Sequence, residues 1–265
     1  MKVCHNCSTE VSADSKFCTS CGTQLGEGTS DQVTQAKEEA SATAETASAT
    51  NEYAEQGKEL AKGYWDHLVH MFKSPLRHGK TEGEGNFVNG IITLVLFTLF
   101  VTMLFYFILS AANSGMSEIN SFFGAEVEQP GFGENFMKPL LFILLFVGIT
   151  AGVVFGVSKP SVSELNFKAV VGRFGALMVI PTALMLLSLF FYLIEAYSIF
   201  AFILLIAYAA FFTAAAFTIY SYVGQSKKGL DGIYGVLILG VVTLLSLQFI
   251  FENLFVNVFA RLFAF

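Results

Sequence analysis

Charge is scarce in this sequence. Asp, Glu, Lys and Arg make up 14% of its 265 residues, against about 25% in ordinary soluble domains. So thin a charge complement excludes a disordered, solvated chain and an ordinary cytosolic enzyme. The formal net charge is −6, which gives no general attraction to DNA, RNA or anionic lipid. Histidine is absent after His78 and cysteine after Cys21. No G-x-S-x-G, H-E-x-x-H or phosphate loop occurs. The long apolar runs hold neither a Ser–His pair nor two Asp, which excludes an intramembrane protease. The sequence therefore predicts a protein that is not an enzyme.

What is present is apolar: 54% of residues, 29 of them Phe, with a mean hydropathy of +0.61. The charges that exist are unevenly placed. Residues 1–86 carry 8 Lys/Arg and 13 Asp/Glu, which is 21 of the 36 charged side chains. A polar head thus precedes a hydrophobic body. The start, Met1-Lys2-Val3-Cys4, lacks the apolar stretch of a signal peptide. The N-terminus is therefore expected in the cytosol, where thiols stay reduced.

Cys4-His5-Asn6-Cys7 and Cys18-Thr19-Ser20-Cys21 are two C-x-x-C pairs. Each tight turn aims two sulfurs at one point, and two turns supply the tetrahedral thiolate set that zinc favours. Gly22 permits the backbone twist such knuckles need. Val11 and Phe17 are the only core side chains between the pairs, so metal must supply much of the folding energy. Two disulfides conflict with a cytosolic location, and a redox C-x-x-C lacks its α/β context. The expectation is one structural zinc ion, held by Cys4, Cys7, Cys18 and Cys21. His5 is then a solvated loop residue. Residues 4–25 resemble the short N-terminal zinc ribbons of bacterial membrane proteins, down to the second knuckle Phe17-Cys18-Thr19-Ser20-Cys21-Gly22. Lys2 and Lys16 are offset by Glu10 and Asp14. So neutral a ribbon favours contact with protein over nucleic acid.

Residues 26–51 read as a flexible linker. Fourteen of the 25 residues in 26–50 are Ala, Ser or Thr, and such a stretch cannot bury enough surface to fold. An amphipathic juxtamembrane segment follows over 52–80. Leu60, Tyr64, Leu68 and Met71 fall three or four apart, and Trp65, Val69 and Phe72 widen that face. A single Trp with nearby Lys suits the headgroup region, which predicts a helix on the membrane surface. Pro75 ends it. His67 and His70 lie on this helix and His78 follows. No carboxylate or Cys completes a ligand set, so they read as interfacial packing.

The body, 81–265, contains charge-free runs at 85–117, 139–158, 174–194, 196–226 and 232–251. Each reaches the ~20 residues needed to cross a hydrocarbon core. The expected fold is an all-α polytopic membrane protein with five transmembrane helices, at about 87–111, 139–158, 174–194, 199–223 and 233–251, behind a small Cys4 ribbon. The first span is expected to leave the membrane at Asn113-Ser114-Gly115. The central pair forms a hairpin broken at 195–198. The outward loop 112–137 is acidic and aromatic and reads as a wet lip on the membrane. Residues 252–265 read as an amphipathic tail, or as a continuation of the fifth helix. Lys73, Arg77, Lys80, Lys159, Lys168, Arg173, Lys227 and Lys228 fall on one side of this topology, and only Lys138 and Arg261 on the other. That asymmetry puts the N-terminus in the cytoplasm and the C-terminus outside the cell membrane.

Glu195, Asp231 and Glu252 lie at span edges, so no charge sits deep in a predicted span. Ion-coupled pumps need such charges. Gly148, Gly152 and Gly156 form overlapping G-x-x-x-G motifs, read as helix packing within the chain or as a homo-oligomer contact. Ala210 and Ala214 repeat the pattern. Pro181 frees the Leu177 carbonyl and predicts a kink. Thr98, Thr102, Ser188, Thr213, Ser246 and Gln248 are the candidates for a weakly polar path.

Residues 67–76, His-Leu-Val-His-Met-Phe-Lys-Ser-Pro-Leu, resemble the pre-membrane proline segment of Yip-type proteins. Residues 167–181 are similar to the entry into their third helix. The resemblance implies a multispan, non-enzymatic protein. The expected partners are the lipid bilayer and a cytosolic or membrane protein, with no nucleic acid. The expected role is a scaffold or sensor whose ribbon recruits that partner. A channel, or a lipid or small-molecule carrier regulated by the ribbon, is the alternative.

Overall fold

The computed structural model describes residues 2–3, 10–11, 55, 57–75, 77, 83–122, 130–224 and 229–256. The chain divides into two units, Met1–Lys62 and Gly63–Phe265. In the first, strands β1 (Lys2–Val3) and β2 (Glu10–Val11) pair antiparallel, with Lys2 opposite Val11 and Val3 opposite Glu10. The connection between them is the segment 4–9. Helix α1 covers residues 57–73.

The second unit is helical. A short 3-10 turn (Glu84–Asn86) leads into α2 (Phe87–Phe122), and a π-helical turn (Gly133–Met137) into α3 (Lys138–Ser158). Then come α4 (Phe167–Leu177), α5 (Val179–Leu193), α6 (Tyr197–Val223) and α7 (Gly232–Phe251), with a π-helical turn over Glu252–Val256. Four helical stretches are long and apolar enough to cross a bilayer. They are Glu84–Ile119, Gly133–Ser158, Tyr197–Val223 and Gly232–Leu254; a fifth arises if the bent pair α4–α5 counts as one span. In hydrocarbon every backbone N–H and C=O must bond within its own segment, and helices achieve this.

Buried hydroxyls obey the same demand. Thr98, Thr150, Thr182, Thr218 and Thr243 each donate to the carbonyl four residues back, at 2.7–2.8 Å. They are satisfied inside their own helices.

Three expectations change. The first span does not end at Asn113-Ser114-Gly115, because α2 continues to Phe122. Asn113 is buried there, and its Nδ2 donates to Asn135 Oδ1 at 3.2 Å. The polar triplet is thus absorbed by a contact to the π-helical turn before α3. The third apolar run is not one helix from 174 to 194. It starts at Phe167, capped by Asn166, whose side chain accepts from Lys168 N. It then breaks at Met178, where the two halves meet at 47°. The kink expected from Pro181 therefore falls three residues earlier, immediately after Leu177, the carbonyl that proline cannot satisfy.

The glycine stripe is the third. Gly148, Gly152 and Gly156 are exposed, and a Cβ on any of them would meet nothing within 4 Å. They do not pack within the described chain. The close crossing is made by other glycines, between α2 and α4. A Cβ on Gly175 would lie 2.3 Å from Gly90 Cα, and one on Gly90 would lie 2.7 Å from the Val171 carbonyl oxygen.

The α5–α6 turn falls at residues 194–196 and contains Glu195 at φ 62, a left-handed conformation that costs a side chain roughly 1–2 kcal/mol. After α7 the helix runs directly into the π-helical turn, so residues 252–256 continue the fifth helix, and 257–265 lie outside the described residues.

The core is aromatic. Phe211 of α6 stacks on Phe97 of α2 and Phe146 of α3, with centroids 5.3 and 5.2 Å apart, and meets Phe174 of α4 edge-on at 6.1 Å. One ring thus joins four helices.

Candidate functional site

The four cysteines, Cys4, Cys7, Cys18 and Cys21, and His5 lie outside the described residues. In sequence, the first C-x-x-C pair falls between β1 and β2, which pair antiparallel. The four-thiolate donor set fits zinc.

The described residues place a second assembly around the start of α2, the α4–α5 break and the C-terminal half of α6. Helix α1 packs there, and its apolar stripe divides. Tyr64, His67, Leu68 and Met71 face the bundle. Leu60, Trp65 and Phe72 are exposed, Trp65 by 66%. The wide face expected to rest on lipid therefore splits, and one edge of it is occupied by protein.

The Tyr64 hydroxyl and Thr93 Oγ1 of α2 lie 3.1 Å apart. Burial pushes the Tyr64 phenol above its ordinary range, so it stays protonated. Met71 is buried with Ala176 and Val179, and Leu68 packs against that cluster. Met71 thus straddles the break at Met178. Pro75 shares a small cavity with Leu177, Pro181 and Phe217 on the same side of the break. The helix end that precedes the membrane domain is seated on the one span that is bent.

Histidine and cationic side chains mark this end. His67 is buried and stacks on Tyr64 at 6.3 Å. Its Nε2 has no hydrogen-bond partner among the described residues. Burial, and then the nearby His70, hold its imidazole below the usual histidine value. His70 Nδ1 lies 2.7 Å from the Asp66 carbonyl. His67 thus packs between α1 and the bundle, His70 is exposed, and His78 lies outside the described residues.

Arg173 sits in the second turn of α4, not in a loop. Its guanidinium lies 4.1 Å from the Tyr222 ring centroid and donates to Ser221 Oγ at 3.0 Å. The Tyr222 hydroxyl donates to the Ala169 carbonyl at 3.1 Å. Lys159 Nζ donates to the carbonyls of Ser163 and Leu165, and Lys168 lies over the Phe87 ring at 5.8 Å. Arg173, Lys159 and Lys168 are therefore held by rings, carbonyls and a hydroxyl.

The Arg173 clamp and the Gly90–Gly175 crossing carry only faint sequence signals. Gly172 and Gly175 are three apart, but their partner Gly90 is distant in sequence.

The six residues expected along a polar path have different surroundings. Thr213 and Gln248 are exposed. Thr98 and Ser246 bond to carbonyls of their own helices. Thr102 and Ser188 are fully buried, and their hydroxyls have no partner among the described residues.

Comparison with known proteins agrees with this two-part organisation. Residues 3–25 match a zinc-ribbon domain. The chain is also similar to the uncharacterized protein YvbI of Bacillus subtilis (strain 168). The two are 26% identical over 202 residues, covering 76% of this chain and 81% of that one. No solved structure matches. The Yip-type likeness of residues 67–76 and 167–181 gains no support from these matches. Residues 54–262 match a domain of unknown function, DUF6574, and the chain therefore belongs to the DUF6574 family, with a zinc-ribbon domain ahead of the helical body.

Proposed function

We propose that this protein is a non-enzymatic membrane scaffold or sensor whose zinc ribbon recruits a protein partner to the cytoplasmic face of the cell membrane. In this reading the chain crosses the membrane five times, with the bent α4–α5 pair as the third crossing. The N-terminus lies inside and the C-terminus outside, as the Lys/Arg asymmetry favours. Cys4, Cys7, Cys18 and Cys21 hold one zinc ion, which fixes the fold of the ribbon and leaves no open coordination position. Self-association through the outward stripe of Gly148, Gly152 and Gly156 belongs to the same reading.

The observation that carries it is the seating of α1. Tyr64 on Thr93 and Met71 on Ala176 and Val179 anchor the helix against α2 and the bent span. An anchored helix gives whatever the preceding tether carries a fixed point of departure at the membrane. It also gives a bound partner a mechanical route to the bend at Met178.

The test compares proteins co-purified from mildly solubilised wild type and Cys18→Ser, at equal membrane levels. A partner lost with the zinc site establishes recruitment. An unchanged partner list overturns it and moves the role to the helices, where the alternative of a channel or carrier is tested by flux into liposomes.

A further inference from the structure

The bundle encloses a cavity of about 340 Å³ whose lining includes no residue of α1. Its floor is the phenyl stack of Phe97, Phe146 and Phe211. Its rim is Phe105 of α2, Leu204 and Tyr208 of α6, and Leu247 of α7, all half-buried. No nitrogen or oxygen contributes to its wall. The one polar rim side chain, Tyr208, directs its hydroxyl to Thr243.

From this chemistry we infer that the cavity is a binding site for a single hydrocarbon chain of a membrane lipid, which enters sideways between α2 and the α6–α7 pair. Three arguments select that occupant. Water is excluded, because a buried water needs two to four polar partners and a cavity of this size without them stays dry. Emptiness is unfavourable, because wall atoms facing a void lose their dispersion contacts. The remaining neighbour is the bilayer. The cavity is lined by residues 97–108 of α2, 143–146 of α3, 204–211 of α6 and 247–250 of α7, all inside helical stretches apolar and long enough to cross one, where the medium outside the rim is hydrocarbon.

The volume is at the small end for ligand pockets. It admits a slender chain, and it offers no hydrogen-bonding or charged group to a headgroup, which stays outside the rim. The rigid aromatic floor separates this site from the ordinary lipid-facing surface, on which Leu141 and Leu237 are freely exposed. The inference is independent of the ribbon and of any partner.

The test uses the full chain in phosphatidylcholine vesicles doped with a phospholipid bearing a photoactivatable diazirine on one acyl chain. Adducts are mapped by mass spectrometry after delipidation. Label is expected on the segments 97–108 and 204–211. Val101→Phe, which fills the cavity from its wall, should reduce that label about tenfold, while label around Leu141 and Leu237 stays unchanged. Leu247→Trp blocks the rim instead and serves if the first variant fails to fold. Label at the cavity segments that is absent, or that neither variant reduces, overturns the proposal: the first outcome means the helices close the space, and the second that the space is ordinary lipid-facing surface.

Discussion

The hydroxyl of Tyr64 meets that of Thr93 at 3.1 Å, and this contact ties the helix before the membrane domain to the first long helix of the bundle. Thr93 is itself secured, donating to the Asn89 carbonyl at 3.0 Å. Loss of the contact should loosen α1 without unfolding the bundle. Tyr64→Phe is expected to cost about 1 kcal/mol, the net worth of one such hydrogen bond. Met71→Ala should cost more, about 2–5 kcal/mol, because it empties a fully buried site. Hydrogen exchange over residues 57–73 measures both. Faster exchange confined to α1 is the expected result, and unchanged exchange in Met71→Ala would show that α1 is not seated through this residue.

Docking of α1 should also weaken in acid. The seated state holds the His67 imidazole below its ordinary value, chiefly through burial. The undocked helix therefore binds a proton more readily than the docked one. Docking is at full strength above the unperturbed value of about 6.5. It declines as pH falls from there through the lower docked value, where both states become protonated. The same exchange measurement between pH 7.5 and 5 reads the loss. His67→Phe keeps a ring against Tyr64 and removes the proton, so it should flatten the profile. A pH profile that survives in that variant would place the titrating group elsewhere.

The glycines of α2 and α4 should be far less tolerant than those of α3. Gly175→Ala drives a Cβ into the Gly90 backbone, and overpacking of this kind costs about 1–3 kcal/mol. Gly152→Ala meets open space and should be neutral or gain up to about 1 kcal/mol from helix propensity. Thermal unfolding in detergent ranks them. Equal melting temperatures would mean that α2 and α4 do not cross at Gly90.

Arg173→Lys retains the charge but loses the planar stack on Tyr222 and the fork that reaches Ser221. A loss of about 1 kcal/mol is expected, read in the same unfolding experiment. Full stability in the lysine variant would show that charge alone suffices at this position.

Zinc should be present at one ion per chain and should leave with Cys18→Ser, as measured by elemental analysis of the purified protein. The melting of the membrane domain should not move, because all four thiols lie within residues 1–25. Zinc retained in the variant would refute the four-cysteine site.

Much of the architecture was legible in the chain itself. That the body holds four or five membrane-length apolar helices follows from counting residues between charges, because hydrocarbon penalises charge and requires about 20 residues per crossing. The paired C-x-x-C spacing identifies a zinc ribbon for a similarly local reason: each tight turn needs only its own residues. Asp231 and Asn166 cap α7 and α4 from adjacent backbone, a local signal that counting between charges does not use.

What only the tertiary structure decided is which apolar surface meets which. Periodicity marks a face on α1, but not that Met71 turns to Ala176 and Val179 while Trp65 and Phe72 turn away. The G-x-x-x-G spacing of Gly148, Gly152 and Gly156 has the form of a packing motif, yet the crossing is made by Gly90 and Gly175, 85 positions apart. Arg173 counts as loop charge in sequence and becomes a clamp only when Tyr222 arrives from a different helix. In hydrocarbon, lipid and protein surfaces are equally apolar, so hydrophobicity places a helix in the membrane but cannot choose its neighbour. That choice rests on close backbone approach, ring stacking and a few hydrogen bonds between residues distant in the chain.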